Sequence, residues 1–224
     1  MTTKRSNKDL RKQVLDELDW EPSIDSADLG VAVKEGVVTL SGHVPSYAQK
    51  RTAERAVLRL SGVKGIANEI EVRLPSDHKR SDADLAQTAI DALERNVQIP
   101  MDTLKVTVDD AWITLDGVVN WDYQRKRAER TLRYLTGVKG VTNHLHVKER
   151  ATPGDLRQRI KHALERRIDE EASRISVSIE EDIVTLSGTV PSWNDRNDIE
   201  DAVWAAPGVT KVKNKLTVSR TAYV

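Results

Sequence analysis

The 224-residue sequence contains no cysteine, no phenylalanine and only 4% aromatic residues. Without cysteine there are no disulfide scaffolds, thiolate metal sites, iron–sulfur clusters or cysteine nucleophiles. Net charge is also lacking, because 35 Lys+Arg balance 35 Asp+Glu. A whole-molecule grip on nucleic acid needs a basic domain, so nucleic acid is not expected as a partner. No stretch approaches the ~18 uncharged apolar residues of a membrane span. Residues 1–10 are charged and have no apolar centre, so they do not read as a secretory signal. The expectation is a soluble chain that stays in the cytoplasm. Glycine-rich phosphate loops and dinucleotide fingerprints are missing too.

What is present is repetition. Sliding the sequence along itself by 75 and by 146 positions aligns segments 9–72, 84–147 and 155–218 without a gap. Thirteen columns are identical in all three, among them Leu18/Leu93/Leu164, Gly42/Gly117/Gly188, Glu54/Glu129/Glu200, Gly62/Gly137/Gly208 and Asn68/Asn143/Asn214. Chance does not produce that. The 64-residue period exceeds that of most solenoid repeats. The chain therefore reads as three small domains, 6–73, 81–148 and 152–219, with polar linkers at 73–83 and 148–154.

One reading serves every copy. Ser6/Asp9, Ser81/Asp84 and Thr152/Asp155 form capping patterns ahead of apolar residues at helical spacing: Leu10, Val14, Leu18; Leu85, Ala89, Leu93; Leu156, Ile160, Leu164. Alternation follows from Leu29, Leu104 and Ile175, broken by short acidic tips, and predicts a β-hairpin. Gly42, Gly117 and Gly188 are expected to end its second strand. A second helix spans about 46–60, 121–135 and 192–206 and stops near Gly62, Gly137 and Gly208, where glycine supplies a left-handed cap. Renewed alternation from Val63, Val138 and Val209 gives a third strand, begun by Asn68, Asn143 and Asn214, whose amides tie the preceding loop. The fold class is α+β: three tandem α-β-β-α-β units, each two helices on one face of a three-stranded mixed sheet.

The string Gly188-Thr-Val190…Glu200…Gly208-Val209-x-x-Val212-x-Asn214-x-Leu216-x-Val218, echoed in the other copies, resembles the BON domain of bacterial osmotic-stress and nodulation proteins. The resemblance covers all three repeats. It implies a non-enzymatic protein of stress adaptation or the cell envelope, with a domain that binds phospholipid surfaces. One cytoplasmic relative is instead a potassium-binding protein. Most two-domain relatives carry an export signal, so the resemblance alone would suggest the periplasm.

Candidate chemistry is sparse. Glu54, Glu129 and Glu200 each follow a basic residue by four, Lys50, Arg125 and Arg196, an arrangement worth about a few tenths of a kcal/mol to a helix. No shared His, Ser or second carboxylate stands beside them, so no nucleophile–base pair recurs. Neither catalytic residues nor a cofactor are expected. His144 and His146 share a strand face. A metal would need a third ligand there, and the other copies place Glu69/Glu71 and Lys215/Thr217 at those positions, so no metal is expected.

Differences between copies point to partners. The second helix of copy two carries Trp121 and Tyr123 followed by Arg125, Lys126, Arg127, Arg130 and Arg133. Copy one has a milder version in Tyr47, Lys50 and Arg51; copy three inverts it, with Trp193 before Asp195, Asp198, Glu200 and Asp201. Aromatics beside basic residues suit an anionic phospholipid surface, at about 1 kcal/mol per nearby cation. Three other readings stand beside that one. Trp121 and Tyr47 can be staples over the helix starts, with the charges solvated. The basic helices can pack on the acidic one, within a chain or between chains. Backbone carbonyls at the repeat junctions can bind an ion such as potassium, which makes the chain a cytoplasmic sensor. Finally, two helices cover only one face of each sheet, and in copy two the open face should carry Thr107, Trp112, Thr114, His144 and His146. That arrangement suggests self-association or a protein partner, with open faces meeting between repeats or between chains.

Overall fold

Apolar residues three or four apart on a helix fall on one stripe, and here those stripes lie against sheets. The computed structural model describes residues 7–148, 175–180, 183–206, 209 and 211–218. Copy one comprises α1 (Asn7–Trp20), β1 (Leu29–Lys34), β2 (Val37–Val44), α2 (Tyr47–Leu58), β3 (Gly65–Asn68) and β4 (Glu71–Val72). Copy two comprises α3 (Asp82–Glu94), β5 (Leu104–Asp109), β6 (Trp112–Val119), α4 (Asp122–Arg133) and β7 (Gly140–Val147). Copy three contributes β8 (Ile175–Glu180), β9 (Ile183–Val190), α5 (Trp193–Trp204) and β10 (Lys211–Val218). Its expected first helix, with Leu156, Ile160 and Leu164, lies outside the described residues, as do Ser6, Thr152, Asp155 and Gly208. No described helix is long and apolar enough to cross a membrane.

Each sheet is mixed. The second strand of the copy is central, antiparallel to the strand before it and parallel to the one after the helix. In copy one the last strand breaks into β3 and β4, both parallel to β2. The hairpins close through two-residue turns with both residues at positive φ, Glu35 (52°) and Gly36 (84°), and Asp110 (46°) and Ala111 (61°). That turn matches the right-handed strand twist but disfavours side chains. In copy two a helix offsets the cost: the Asp82 carboxylate in the first turn of α3 accepts from the N–H groups of Asp110 and Ala111, each at 2.9 Å.

The repeated glycines sit inside the central strand rather than at its end. Gly117 pairs with Leu104 at φ +135°, and a Cβ there would stand 2.1 Å from the Thr103 carbonyl oxygen. Gly42 meets the Asp28 carbonyl in the same way. Where the first strand begins, its approach to the central strand is so close that only glycine fits.

Alternation then assigns the faces. Val38, Leu40, Val44 and Ile70 point under α1 and α2, with Leu10, Val14, Leu18, Ala53, Ala56 and Val57. Ile113, Leu115, Val119 and Leu145 do the same with Leu85, Ala89, Leu93, Ala128 and Leu132. Burying a Leu or Ile fully is worth about 1.5–3 kcal/mol. Each copy thus has its own core, and among the described residues each sheet leaves its other face open.

Candidate functional site

The shared glutamates and asparagines form one device. Asn Nδ2 on the last strand donates to the carboxylate on the second helix, at 3.3 Å for Asn68–Glu54, 3.5 Å for Asn143–Glu129 and 2.7 Å for Asn214–Glu200. Each Asn Oδ1 accepts from the N–H two residues on, Ile70, Leu145 or Leu216. One side chain therefore pins helix to strand and shapes the strand locally. The expected i,i+4 pairs are largely replaced by this tie. Lys50 donates to the Ile70 carbonyl at 2.6 Å, Arg125 pairs with Asp122 at 2.5 Å, and only Arg196–Glu200 survives, at 4.0 Å. The glutamates turn toward the strand, so the bases find strand carbonyls or other acids.

The second helices also join the copies, and every joint has the same polarity: the start of one helix meets the end of the next copy's helix or the segment after it. At the first joint, Tyr47 opens α2, is buried within the core of copy two, and donates its hydroxyl to the Val141 carbonyl at 3.5 Å. Burial raises its pKa above the ordinary tyrosine value, against the lowering influence of Arg51 and aided by Glu129. At the second, α4 meets α5: Lys126 bridges Asp122 (2.8 Å) and Asp201, and Arg125 lies over the Trp204 ring at 5.0 Å. Burial alone would lower the Lys126 pKa, but the hydrogen bonds and charges of Asp122 and Asp201 outweigh it and hold it above the ordinary lysine value. At the third, Trp193 opens α5, packs against the core of copy one and donates to the Val63 carbonyl at 2.9 Å. Tyr47, Asp122 and Trp193 occupy the same repeat position. The ring reading of Tyr47 as a staple over its own helix thus gives way to docking on its neighbour.

These joints divide the basic residues of copy two. Arg125, Lys126 and Arg133 turn inward, Arg133 onto Glu129 at 2.8 Å. Arg51 of copy one is likewise paired, with Glu54 at 2.7 Å. Trp121 precedes α4, half-buried and engaged. Where the other copies have the cap serines Ser46 and Ser192, it offers no oxygen; the Gln124 carboxamide accepts instead from the N–H groups of Asn120 and Trp121, at 2.9 and 3.0 Å. The remaining residues face out. Tyr123, Arg127, Arg130 and Tyr134 are exposed at spacings of four, three and four, one stripe along α4 and its C-terminal cap. Among the described residues neither arginine has an ion-pair partner. Tyr134 was not legible as part of this stripe until the inward face was known, although its spacing from Arg130 was visible.

The open sheet face of copy two carries the expected residues. Trp112 lies over Gly140 and donates its indole N–H to Thr142 at 2.8 Å; Thr114 sits opposite Thr142; His144 approaches Asp116 at 3.2 Å; His146 is exposed. Among the described residues no group of three or more His, Asp or Glu is placed to hold a metal. Among the described residues the open faces do not meet between copies, contrary to the expectation that they would pack on one another within the chain. Among the described residues the starts of the second helices carry the large aromatic and charged groups that reach a neighbour, and Val72 of β4 and Leu74 also pack on the core of copy two.

Sequence comparison matches the BON domain at residues 6–73, 81–149 and 154–220. Osmotically-inducible protein Y of Escherichia coli (strain K12) is 34% identical over 130 residues, covering 56% of this chain and 65% of that protein. The chain therefore spans slightly less than two thirds of that relative's length. Among solved structures, the C-terminal domain of CdsD, a structural protein of the type III secretion system of Chlamydia trachomatis, aligns over 96% of this chain and 99% of its own, at 15% identity and a TM-score of 0.26. A second CdsD structure gives 94%, 92%, 15% and 0.25. A likeness that slight says nothing of how this chain is arranged.

Proposed function

Because the chain belongs to the BON-domain family, whose unit it carries three times, we propose that it is a non-enzymatic stress-adaptation protein that attaches to anionic phospholipid surfaces through the outer face of α4. The observation that carries this reading is the exposed stripe of Tyr123, Arg127, Arg130 and Tyr134. Two arginines without acidic partners among the described residues lie between two tyrosines, and amphipathic rings of that kind settle at the headgroup level. Each arginine contributes about 1 kcal/mol near an anionic surface, so the pair gives roughly thirtyfold in partitioning. The neutral total charge is no obstacle, since the inward half of the basic set is already paired within the molecule.

Flotation with anionic and neutral vesicles at low and high salt tests it. Binding should require anionic lipid, weaken with salt and fall by more than about thirtyfold in Arg127→Glu/Arg130→Glu, which removes two cations and adds two anions. Equal binding to neutral vesicles, or an unaffected double variant, would refute the assignment.

A further inference from the structure

The three joints are topologically alike and chemically unlike. At the equivalent helix-start position, copy one places Tyr47 and copy three Trp193, rings buried or half-buried against their neighbours. Copy two places a carboxylate there, Asp122, which pairs with Arg125 and Lys126 of its own helix, and among the described residues the joint to copy three is spanned by Lys126 with Asp201 and by Arg125 over Trp204. The Lys126 and Asp201 side chains are 42% and 50% exposed, so water and salt reach the pair that spans the joint. Exposed ion pairs weaken as the Debye length shrinks, from about 8 Å at 0.15 M to about 3 Å at 1 M, whereas apolar burial does not depend on that length. Arg125 over Trp204 adds a cation–π attraction of modest size beside the ion pair.

We propose that the joint between copies two and three is an ionic latch: closed at low ionic strength, it opens as ionic strength rises, while the aromatic joints on either side stay closed. The molecule then parts at one place only, and copy three stays attached to copy one through Trp193. Opening releases Lys126 from Asp201 and uncovers Arg125 beside Arg127 and Arg130, with Asp122 still paired to both, so α4 gains one net positive charge on its exposed surface. That last consequence rests on the membrane reading; the latch does not.

The chain has no cysteine, so dyes can be placed at introduced ones. Lys105→Cys with Ser178→Cys, both on open sheet faces, reports the latch; Ala32→Cys with Lys105→Cys reports the joint between copies one and two. Between about 0.05 and 1 M NaCl, energy transfer should fall in the first pair and hold steady in the second. Asp201→Lys, a change at an exposed position, should show at 0.05 M the low transfer that the unchanged chain reaches at 1 M. A first pair insensitive to salt, two pairs falling together, or an Asp201→Lys chain that behaves like the parent would each overturn the latch. Loss of flotation with the salt response intact would overturn the membrane reading alone.

Discussion

Asn143, Asn68 and Asn214 each satisfy a strand N–H and a helix carboxylate at once, so their loss leaves two groups short of a partner. Asn143→Ala should lower stability by about 1–3 kcal/mol, read from urea unfolding, because a half-buried Glu129 keeps only Arg133. Gly117→Ala should cost at least as much, since its Cβ would collide with the Thr103 carbonyl at a φ that L-residues avoid. The importance of these positions was legible in the sequence as identity across three copies. Their pairing was not. Helical spacing suggests partners four residues away, whereas Glu129 and Asn143 are fourteen apart and meet only once strand and helix are packed. The glycine was misread for a similar reason: the carbonyl that excludes a side chain belongs to the turn before the neighbouring strand.

At the scale of elements, the Ser81 cap, the core stripes and the hairpins followed from local pattern, because capping and alternation are decided within a few residues. The two polar faces of α4 were not distinguishable that way. Both are rich in arginine and lysine, and which one turns inward depends on Asp201 and Trp204, seventy or more residues downstream. The faces should separate experimentally. Arg127→Glu/Arg130→Glu should leave the unfolding free energy, read from urea titration, within about 0.5 kcal/mol of the parent, as exposed substitutions do. Asp122→Ala should cost about 2–3 kcal/mol, because the buried carboxylate answers both Arg125 and Lys126.

For the whole molecule, two joints hold groups that keep their protons more tightly when folded. Tyr47 and Lys126 both stand above their ordinary values of 10.0 and 10.5, Tyr47 through burial and Lys126 because Asp122 and Asp201 overcome burial. A folded pKa raised above the unfolded one contributes stability that is complete below the unfolded value and lost as pH rises through the folded one. The urea midpoint should therefore hold to about pH 9 and decline above the ordinary tyrosine and lysine range. Tyr47→Phe should remove the tyrosine share of that decline while leaving the ring in the core of copy two.

Head-to-tail joints give the copies a sense of rotation as well as an order. Copy one docks on two, two on three and three on one, so the order 2-3-1 specifies the same ring as 1-2-3, while 2-1-3 reverses its hand and brings the wrong helix ends together. A circular permutant opened within 73–83, with its former ends bridged, should keep all three joints; a chain with copies one and two exchanged should lose them. In this molecule every copy adjoins both others, and handedness decides which end of each second helix meets which neighbour.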